Sequence, residues 1–228
     1  MTIRICVSTL PETVAEALEF IEKAEKHRAD FIEVRLDCLG ERGDLSDITG
    51  SSRVPLIATN RSAECRGKFR GSENVRKHIL VNAAENGFEY VDIELTTSSE
   101  LKDAVDEVHR IGAKSIVSFH DFDRTPSLMH MKGILRRQNA SGADICKVVT
   151  TAKSVEDNLT VLDFLSKACS SAKMVCFSMG ELGKISRLLS PVFGGFFTFA
   201  SLEKGEETAP GQLTIREMRA AYEALGLT

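Results

Sequence analysis

The stretch GADICKVVTTA, residues 142–152, decides the fold prediction because it is one complete unit of a pattern that recurs along the chain. Ile145, Val148 and Val149 belong to a β-branched apolar run that is typical of a buried strand, and a helix is predicted to begin near Ser154. Lys147 lies in the middle of this run. A buried ammonium without a partner is costly and tends to lose its proton. The residue is therefore predicted either to extend out of a strand end or to be neutral, and a neutral lysine is a nucleophile for carbonyl compounds.

Seven further apolar runs resemble this one, and nearly every run is followed by an amphipathic segment with helical spacing. The predicted strands cover residues 3–8, 31–37, 54–60, 90–95, 114–120, 143–150, 173–179 and 194–201. Alternation of strands and helices favours a parallel sheet, and eight such units predict a (β/α)8 TIM barrel, an α/β fold. We expect a single catalytic domain over residues 1–228. The second unit is the weakest, because residues 38–52 are mostly turn-like.

A doubly wound open sheet is the alternative fold. It is disfavoured because the G-x-G-x-x-G turn typical of that fold is absent after the first strand.

Composition restricts the classes of function. The 228 residues are 43% hydrophobic and 27% charged, and the formal charge of −4 gives no general attraction to nucleic acid or to an anionic membrane surface. No apolar run approaches the roughly 20 residues that a membrane-spanning helix needs. The six cysteines form no C-x-x-C pair, which disfavours a zinc or dithiol site. We expect a cytoplasmic protein with neither a nucleic-acid nor a membrane partner, and no metal.

A TIM-barrel enzyme carries its chemistry at the carboxyl ends of its strands, and polar residues are found at those positions here. Alternation places His120 inward on the fifth predicted strand and Lys147 inward on the sixth, and these two strands should be neighbours. An imidazole beside an amine suits Schiff-base chemistry, in which protons are moved repeatedly. The alternative interpretations are a hydrogen-bonded histidine at a strand end and a lysine that reaches solvent.

The second predicted strand carries three charges on one face, namely Glu33, Arg35 and Asp37. Buried charges need partners or a ligand, so this face is either part of a substrate site or an ion-pair network that fills the barrel. Arg61 and Arg187 follow the third and seventh strands. Arginines in a concave site can hold a carboxylate through two hydrogen bonds, and they would disfavour the charged form of Lys147.

The polar segment 201–214 joins the eighth strand to the last helix and therefore lies over the carboxyl ends of the strands. Its length and its turn signals at Gly205 and Pro210-Gly211 are typical of a lid that orders over a ligand. A connector without a function is the alternative.

Several segments, taken together, resemble the type I 3-dehydroquinate dehydratase family. They occur in family order and cover almost the whole chain: EVRLD (33–37), TNRSA (59–63), VDIEL (91–95), SFHDF (118–122), KVVTTA (147–152), FSMGELGKISRLLSPVFG (177–194) and APGQLT (209–214). The resemblance implies a (β/α)8 barrel that removes water from 3-dehydroquinate to give 3-dehydroshikimate, in the shikimate pathway to aromatic amino acids.

The resemblance also implies roles for individual residues. Lys147 forms the imine with the substrate ketone, and His120 acts as general acid and base. The family's substrate-binding positions match Glu33, Arg35, Arg61, Arg187, Thr208 and Gln212, and Ser8 is added to them. No metal or organic cofactor is implied, and we expect a homodimer.

The sequence departs from the family pattern in two places. The family often has Glu-Gly-Gly beginning four residues after the arginine that Arg61 matches, whereas Cys65 and Arg66 stand there and Glu64 comes one position early. That glutamate helps to place the histidine in the family, so its equivalent here is open. Thr208 stands where serine is common and keeps the hydroxyl.

Two other functions remain open at this point. A class I aldolase would also use Lys147, but many aldolases need a phosphate site and none is clear in the sequence. A barrel that serves only as a binding module is the other possibility. The lysine, histidine and arginines argue against that reading.

Overall fold

The computed structural model describes residues 2–40, 43–95 and 100–227, and within these ranges strands and helices alternate from end to end. The strands are β1 (Ile5–Thr9), β2 (Phe31–Arg35), β3 (Leu56–Thr59), β4 (Tyr90–Glu94), β5 (Lys114–His120), β6 (Ile145–Thr151), β7 (Met174–Met179) and β8 (Thr198–Ala200). The helices are α1 (Val14–Lys26), α2 (Leu45–Ser51), α3 (Glu73–Glu85), α4 (Glu100–Ile111), α5 (Leu128–Ala140), α6 (Glu156–Ala168), α7 (Lys184–Leu189) and α8 (Ile215–Ala224). Three short 3-10 turns lie at Ala63–Cys65, Glu181–Gly183 and Ser190–Phe193.

The eight strands form one parallel sheet in the order β7-β6-β5-β4-β3-β2-β1-β8. Because β1 pairs with both β2 and β8, the sheet curls round on itself instead of reversing its order at a switch point. Near the start of β8, the backbone N–H of Phe196 donates to the carbonyl of Met174 in β7 at 2.6 Å, so the barrel is nearly closed. The predicted (β/α)8 barrel is confirmed, and the doubly wound alternative is excluded.

Side-chain caps explain where several helices begin. Thr13, Ser72 and Ser127 precede α1, α3 and α5, and each accepts a hydrogen bond from a backbone N–H of the first helical turn. Thr214 forms a capping box with Glu217 at the start of α8.

The second unit departs from the expectation that residues 38–52 are mostly turn-like. Asp44 accepts a hydrogen bond from the backbone N–H of Ser46 and starts the short helix α2, which buries Ile48. Residues 41 and 42, within that segment, lie outside the described residues. The sequence also predicts a helix near residues 99–110, and position 99 lies outside the described residues as well.

The interior of the barrel is apolar at one end and polar at the other. Phe31, Tyr90 and Phe197 pack at the amino-terminal end, with ring centroids 5.6 Å apart for Phe31–Tyr90 and 4.9 Å apart for Phe31–Phe197. This packed layer closes the amino-terminal end of the barrel. Inward residues nearer the carboxyl ends include many charged and polar side chains, so a site is expected at that end.

None of the helices within the described ranges is both long and apolar enough to cross a membrane.

Candidate active site

A cavity of about 190 Å³ opens at the carboxyl ends of the strands. Its described lining carries five cationic side chains, Arg35, Arg61, Arg66, Lys147 and Arg187, whereas Glu33 is the only carboxylate among the lining side chains that the structure describes. Phe122, Phe177, Phe199 and Met179 supply apolar surface. This balance of charge favours an anionic ligand that also has an apolar face.

Lys147 is buried but has ionic partners. Its Nζ lies 2.9 Å from Oδ2 of Asp92 and 3.5 Å from Oε1 of Glu33, and it also lies 4.3 Å from the centroid of the Phe199 ring. The residue therefore does not extend out of a strand end to solvent, which was one of the two alternatives drawn from its sequence context. Its amine points into the cavity at a position where a ligand carbonyl could reach it.

Asp92 joins Lys147 to Arg61 below the cavity. Its Oδ1 lies 3.0 Å from Nη2 of Arg61 and accepts a hydrogen bond from Oγ of Ser118 at 2.6 Å. Burial alone would raise the pKa of Asp92, but the charges of Arg61 and Lys147 hold that pKa well below its ordinary value. Asp92 is thus a fixed anion between two cations.

Arg61 is held on its other side by Glu94. The distance from Nη1 of Arg61 to Oε1 of Glu94 is 3.3 Å, and Glu94 also lies 2.7 Å from Nη1 of Arg76. Burial would lower the pKa of Arg61, but Asp92 and Glu94 raise it above its ordinary value, so the guanidinium stays charged. An ion-pair network therefore does fill the middle of the barrel, and the cavity lies above it.

Glu33 completes the network on the side of β2. Its carboxylate accepts hydrogen bonds from the hydroxyls of Ser8 and Thr59, the latter at 2.9 Å. Burial would raise its pKa, but Lys147, Arg35 and Arg61 overcome this effect and lower the pKa below its ordinary value. Ser8 does not line the cavity. It lies behind Glu33 and orients that carboxylate.

His120 ends β5 and lines the cavity beside Lys147. Strands β5 and β6 are neighbours, as predicted, with Ser118 opposite Lys147 and His120 opposite Val149. Burial of the ring, together with the charges of Arg61 and Lys147, holds the pKa of His120 well below its ordinary value. The imidazole is therefore neutral at neutral pH and can accept a proton.

Arg187 is only 1% exposed and lies in α7. Its guanidinium stacks on the Phe177 ring at 4.3 Å, and its Nη2 lies 3.5 Å from the carbonyl of Pro210. Among the described residues no carboxylate pairs with it, and its Nε has no hydrogen-bond partner. Burial lowers the pKa of Arg187 to about 9. A carboxylate in the cavity would supply the missing partner.

Arg35 also lines the cavity, and its charge is matched locally. Its Nε and Nη2 donate to the two carboxylate oxygens of Asp37 at 2.7 Å each. Asp37 in turn accepts from the backbone N–H groups of Arg61 and Lys68, at 3.0 and 2.9 Å. This pair fixes the loop that follows β3.

The segment 201–214 covers one side of the cavity, and Thr208 and Gln212 both contribute to its lining. These two side chains are hydrogen-bonded to each other at 3.1 Å. The segment contacts the end of β7, where the N–H of Gly180 donates to the carbonyl of Pro210 at 3.0 Å. Its placement is that of the predicted lid.

The structure thus brings every predicted site residue except Ser8 to one cavity. Asp92 and Glu94, which lie on the fourth strand, were not assigned to the site from the sequence. Alternation in YVDIEL (90–95) already places both on the inward face, and this is the signal that could have included them. Among the described residues, no cluster of three or more histidine, cysteine, aspartate or glutamate side chains is arranged to hold a metal ion.

Comparison with known proteins gives one consistent result. The model of the type I 3-dehydroquinase family matches residues 5–228. The chain is 38% identical over 217 residues to the 3-dehydroquinate dehydratase of Methanothermobacter thermautotrophicus, covering 94% of each chain. It is 34% identical to the chloroplastic bifunctional 3-dehydroquinate dehydratase/shikimate dehydrogenase of Arabidopsis thaliana, of which it spans 36%.

A solved structure has the same architecture. The crystal structure of 3-dehydroquinate dehydratase from Geobacillus kaustophilus superposes with a TM-score of 0.91 at 26% identity, and the match covers 99% of this chain and 92% of that one. With the cavity at the expected end of the barrel and the family model matched over nearly the full length, the chain belongs to the type I 3-dehydroquinase family.

Proposed function

We propose that the protein is a 3-dehydroquinate dehydratase that eliminates water from 3-dehydroquinate to give 3-dehydroshikimate through a Schiff base on Lys147. One observation carries this proposal. A single cavity holds the Lys147 amine, a neutral imidazole at His120 and the buried guanidinium of Arg187, which no described carboxylate neutralises. These three groups match the ketone, the acidic carbon and the carboxylate of such a substrate.

The first step is attack of the Lys147 amine on the substrate ketone, after Nζ has released a proton. Loss of water from the adduct gives a protonated imine, which withdraws electrons from the adjacent carbon and makes its proton easier to remove. Glu33 and Asp92, the two carboxylates within 3.5 Å of Nζ, stabilise the positive charge of this imine.

His120 is the group that moves protons in the later steps. As a neutral base it takes the proton from the carbon next to the imine, and as an acid it gives a proton to the departing hydroxyl, which leaves as water. Hydrolysis of the product imine returns Lys147. All atoms balance without an oxidant, a reductant or a cofactor.

Substrate binding is assigned to the remaining lining residues. Arg187 holds the ring carboxylate, and Thr208 and Gln212 of the lid contact the ring hydroxyls. Phe177 supports Arg187 from below through the stacked ring. Holding the ring at fixed points keeps the ketone within reach of Nζ. Such positioning raises the rate because the reacting groups are already correctly placed when the substrate is bound.

We also propose a homodimer that works in the cytoplasm. Apolar side chains are exposed together on α6 and on the segment that leads into α7, among them Leu159 at 69% and Leu182 at 44% exposure, and this surface would suit self-association. All six cysteines are free, which fits a reducing compartment.

Borohydride trapping tests the proposal. Protein incubated with 3-dehydroquinate and reduced should carry one adduct on the peptide that contains Lys147, read by mass spectrometry, and should form 3-dehydroshikimate when borohydride is omitted. Lys147→Ala should lose both the adduct and the turnover. Lys132→Ala, which removes an exposed lysine of α5, is the control and should behave as wild type.

A second variant tests the carboxylate site. Arg187→Ala should weaken binding of the substrate by about a hundredfold or more, since a charge-assisted bidentate contact is removed. Normal turnover in Lys147→Ala would overturn the Schiff-base mechanism. Unchanged affinity in Arg187→Ala would place the substrate carboxylate elsewhere. Formation of an aldol cleavage product would favour the aldolase alternative.

A further inference from the structure

Three planar groups are stacked at the mouth of the cavity. The rings of His120 and Phe122 are nearly parallel, with centroids 5.7 Å apart and an angle of 10° between their planes. The guanidinium of Arg66 lies over the Phe122 ring, 4.5 Å from its centroid. The stack therefore runs from Arg66 through Phe122 to His120.

One nitrogen of the His120 ring makes no hydrogen bond that could fix the ring. Its Nδ1 is buried and has no hydrogen-bond partner within the part of the chain that the structure describes. A histidine that exchanges protons with a ligand usually has its ring orientation set by a hydrogen bond from the second nitrogen. Here the contact that can set this orientation is the face of Phe122.

Arg66 is presented to Phe122 by a tightly bonded turn. Gly67 donates its N–H to the carbonyl of Ser62 at 2.7 Å, and Phe69 donates to the carbonyl of Arg61 at 3.2 Å. Ser62 is itself fixed to Glu94, to which its hydroxyl donates at 2.8 Å. The turn is thus tied to the same network that holds Arg61.

Arg66 adopts a left-handed backbone conformation, with φ of 60°. Residues other than glycine rarely adopt this conformation, and where they do the strain is often kept for function. Glycine would be easier to accommodate here. The strained conformation of an arginine beside the cavity is consistent with a role for its side chain.

The turn that carries Phe122 is fixed as well. The N–H of Asp121 donates to the carbonyl of Val149 at 2.9 Å, and the Asp121 carboxylate accepts from the N–H groups of Asp123 and Arg124 at 3.0 and 2.9 Å. Phe122 is therefore held in place between Arg66 and His120. A shift of Arg66 against one face of the Phe122 ring would move the other face, which packs on His120.

We propose that Arg66 is a positioning residue that, by stacking on Phe122, holds the imidazole of His120 in the orientation needed for proton transfer. This inference rests on the role proposed for His120 in the dehydration. The planar guanidinium suits the task because it stacks flat on an aromatic face, which a lysine ammonium cannot do.

Arg66 also lines the cavity, so direct contact with an anionic substrate is the competing interpretation. The two differ in their kinetics. A positioning residue changes the rate of the bound complex, and therefore kcat, whereas a residue that only binds substrate changes KM.

The first test compares Arg66→Gly with Arg66→Lys and with Arg70→Ala, a control that removes an exposed arginine of the same loop outside the cavity. Arg66→Gly should lower kcat by about tenfold to a hundredfold, since a small misplacement of a reacting group has effects of this size. Its KM should change little, and its melting temperature should be equal to or above that of wild type, because glycine relieves the left-handed strain. Arg66→Lys should restore little of the rate, because an ammonium cannot stack flat on the Phe122 ring.

A double-mutant cycle tests whether the effect passes through Phe122. If it does, Arg66→Gly should add almost nothing to the loss already caused by Phe122→Leu, because the stack is then absent. Additive losses would show that Arg66 acts independently, and a raised KM with unchanged kcat would show that it binds substrate. Either result overturns the inference.

A measurement without turnover separates this inference from the proposed function. Side-chain NMR of the isotope-labelled His120 ring should show one orientation in the wild type and averaging in Arg66→Gly. An unchanged ring in Arg66→Gly overturns the inference whatever the enzyme converts. A mobile ring in that variant, in a protein whose wild type does not dehydrate 3-dehydroquinate, supports the inference and rejects the proposed function.

Discussion

At the residue scale, the ionic partners of Lys147 have both a structural role and a proposed chemical role. A lysine in an apolar strand needs partners, and Asp92 and Glu33 supply them at 2.9 and 3.5 Å. The same carboxylates lie where the proposed protonated imine would form, so in the proposed mechanism the groups that make a buried lysine tolerable would also stabilise that intermediate. The structural and the chemical role of the network coincide.

The pH dependence of activity is decided by His120. Its pKa in the folded protein is well below the ordinary value of 6.5, because the ring is buried and two cations lie nearby. As the base of the proposed mechanism it must be neutral, so protonation of His120 lowers activity only when pH falls through this lowered value. We expect kcat/KM to stay constant well below pH 6.5 and then to fall, which a pH–rate profile measures. An acid limb at or above 6.5 would contradict this environment for His120.

Among the residues of the ion-pair network, Asp92 should contribute most to the stability of the fold. Asp92→Asn removes the carboxylate charge that compensates two buried cations, Lys147 and Arg61. We therefore expect the free energy of unfolding to fall by about 3–5 kcal/mol. The carboxylate has a lowered pKa in the fold, so its stabilisation is present above its ordinary value of 3.8 and is lost as pH falls further. Denaturant titration at pH 7 measures the difference.

Asp103→Asn is the matched control for this variant, since it makes the same change on the exposed side of α4. We expect it to alter the free energy of unfolding by less than about 0.5 kcal/mol. Equal stability of the two variants would show that the buried network contributes nothing to the fold.

At the scale of elements, the lid depends on a close backbone contact. Gly211 has φ of 76°, and a Cβ at this position would lie 2.2 Å from the carbonyl oxygen of Gly180. Gly211→Ala should therefore push the segment 208–212 away from β7 and raise the substrate KM by about tenfold, because the substrate contacts proposed for Thr208 and Gln212 would be displaced. Steady-state kinetics measure this effect.

Gly205→Ala distinguishes an effect of the close contact with Gly180 from an effect of backbone strain in the loop. Gly205 also has a positive φ, of 89°, and lies in the same loop, but a Cβ there meets no atom within 4 Å. We expect this variant to keep the wild-type KM. If both variants raise KM equally, strain in the loop is responsible and the close approach to Gly180 is not.

At the scale of the whole molecule, the proposed homodimer predicts a definite mass in solution. Sedimentation equilibrium should give twice the mass of one chain at micromolar concentration. Leu159→Glu, which places a charge on the exposed apolar surface of α6, should shift the protein toward the monomer, since a buried unpaired charge disfavours association. Met129→Glu is the control, because Met129 is 80% exposed and lies on α5. A wild-type monomer would reject the proposal.

The sequence determined the architecture because its signals are local. Periods of two and 3.6 residues place the strands and helices, and the order of strand and helix along the chain leads to the barrel. Alternation also fixes which side chains face inward and at which end, so His120, Lys147, Glu33 and Arg61 could be assigned to one rim from the sequence. The short helix α2 was missed because its seven residues carry too little periodicity to separate it from a turn.

Only the tertiary structure decided which of these residues are partners. Several opposite charges meet at the same rim, and the choice among them depends on the stagger of strands that are distant in sequence. Asp92 bridges Lys147 and Arg61, Arg35 takes Asp37, and Arg187 finds no described carboxylate. The stack of Arg66, Phe122 and His120 is likewise a meeting of two loops, which no local period encodes. The direction in which a side chain points is set by the local backbone, whereas the partner that it meets is set by contacts between residues distant in sequence.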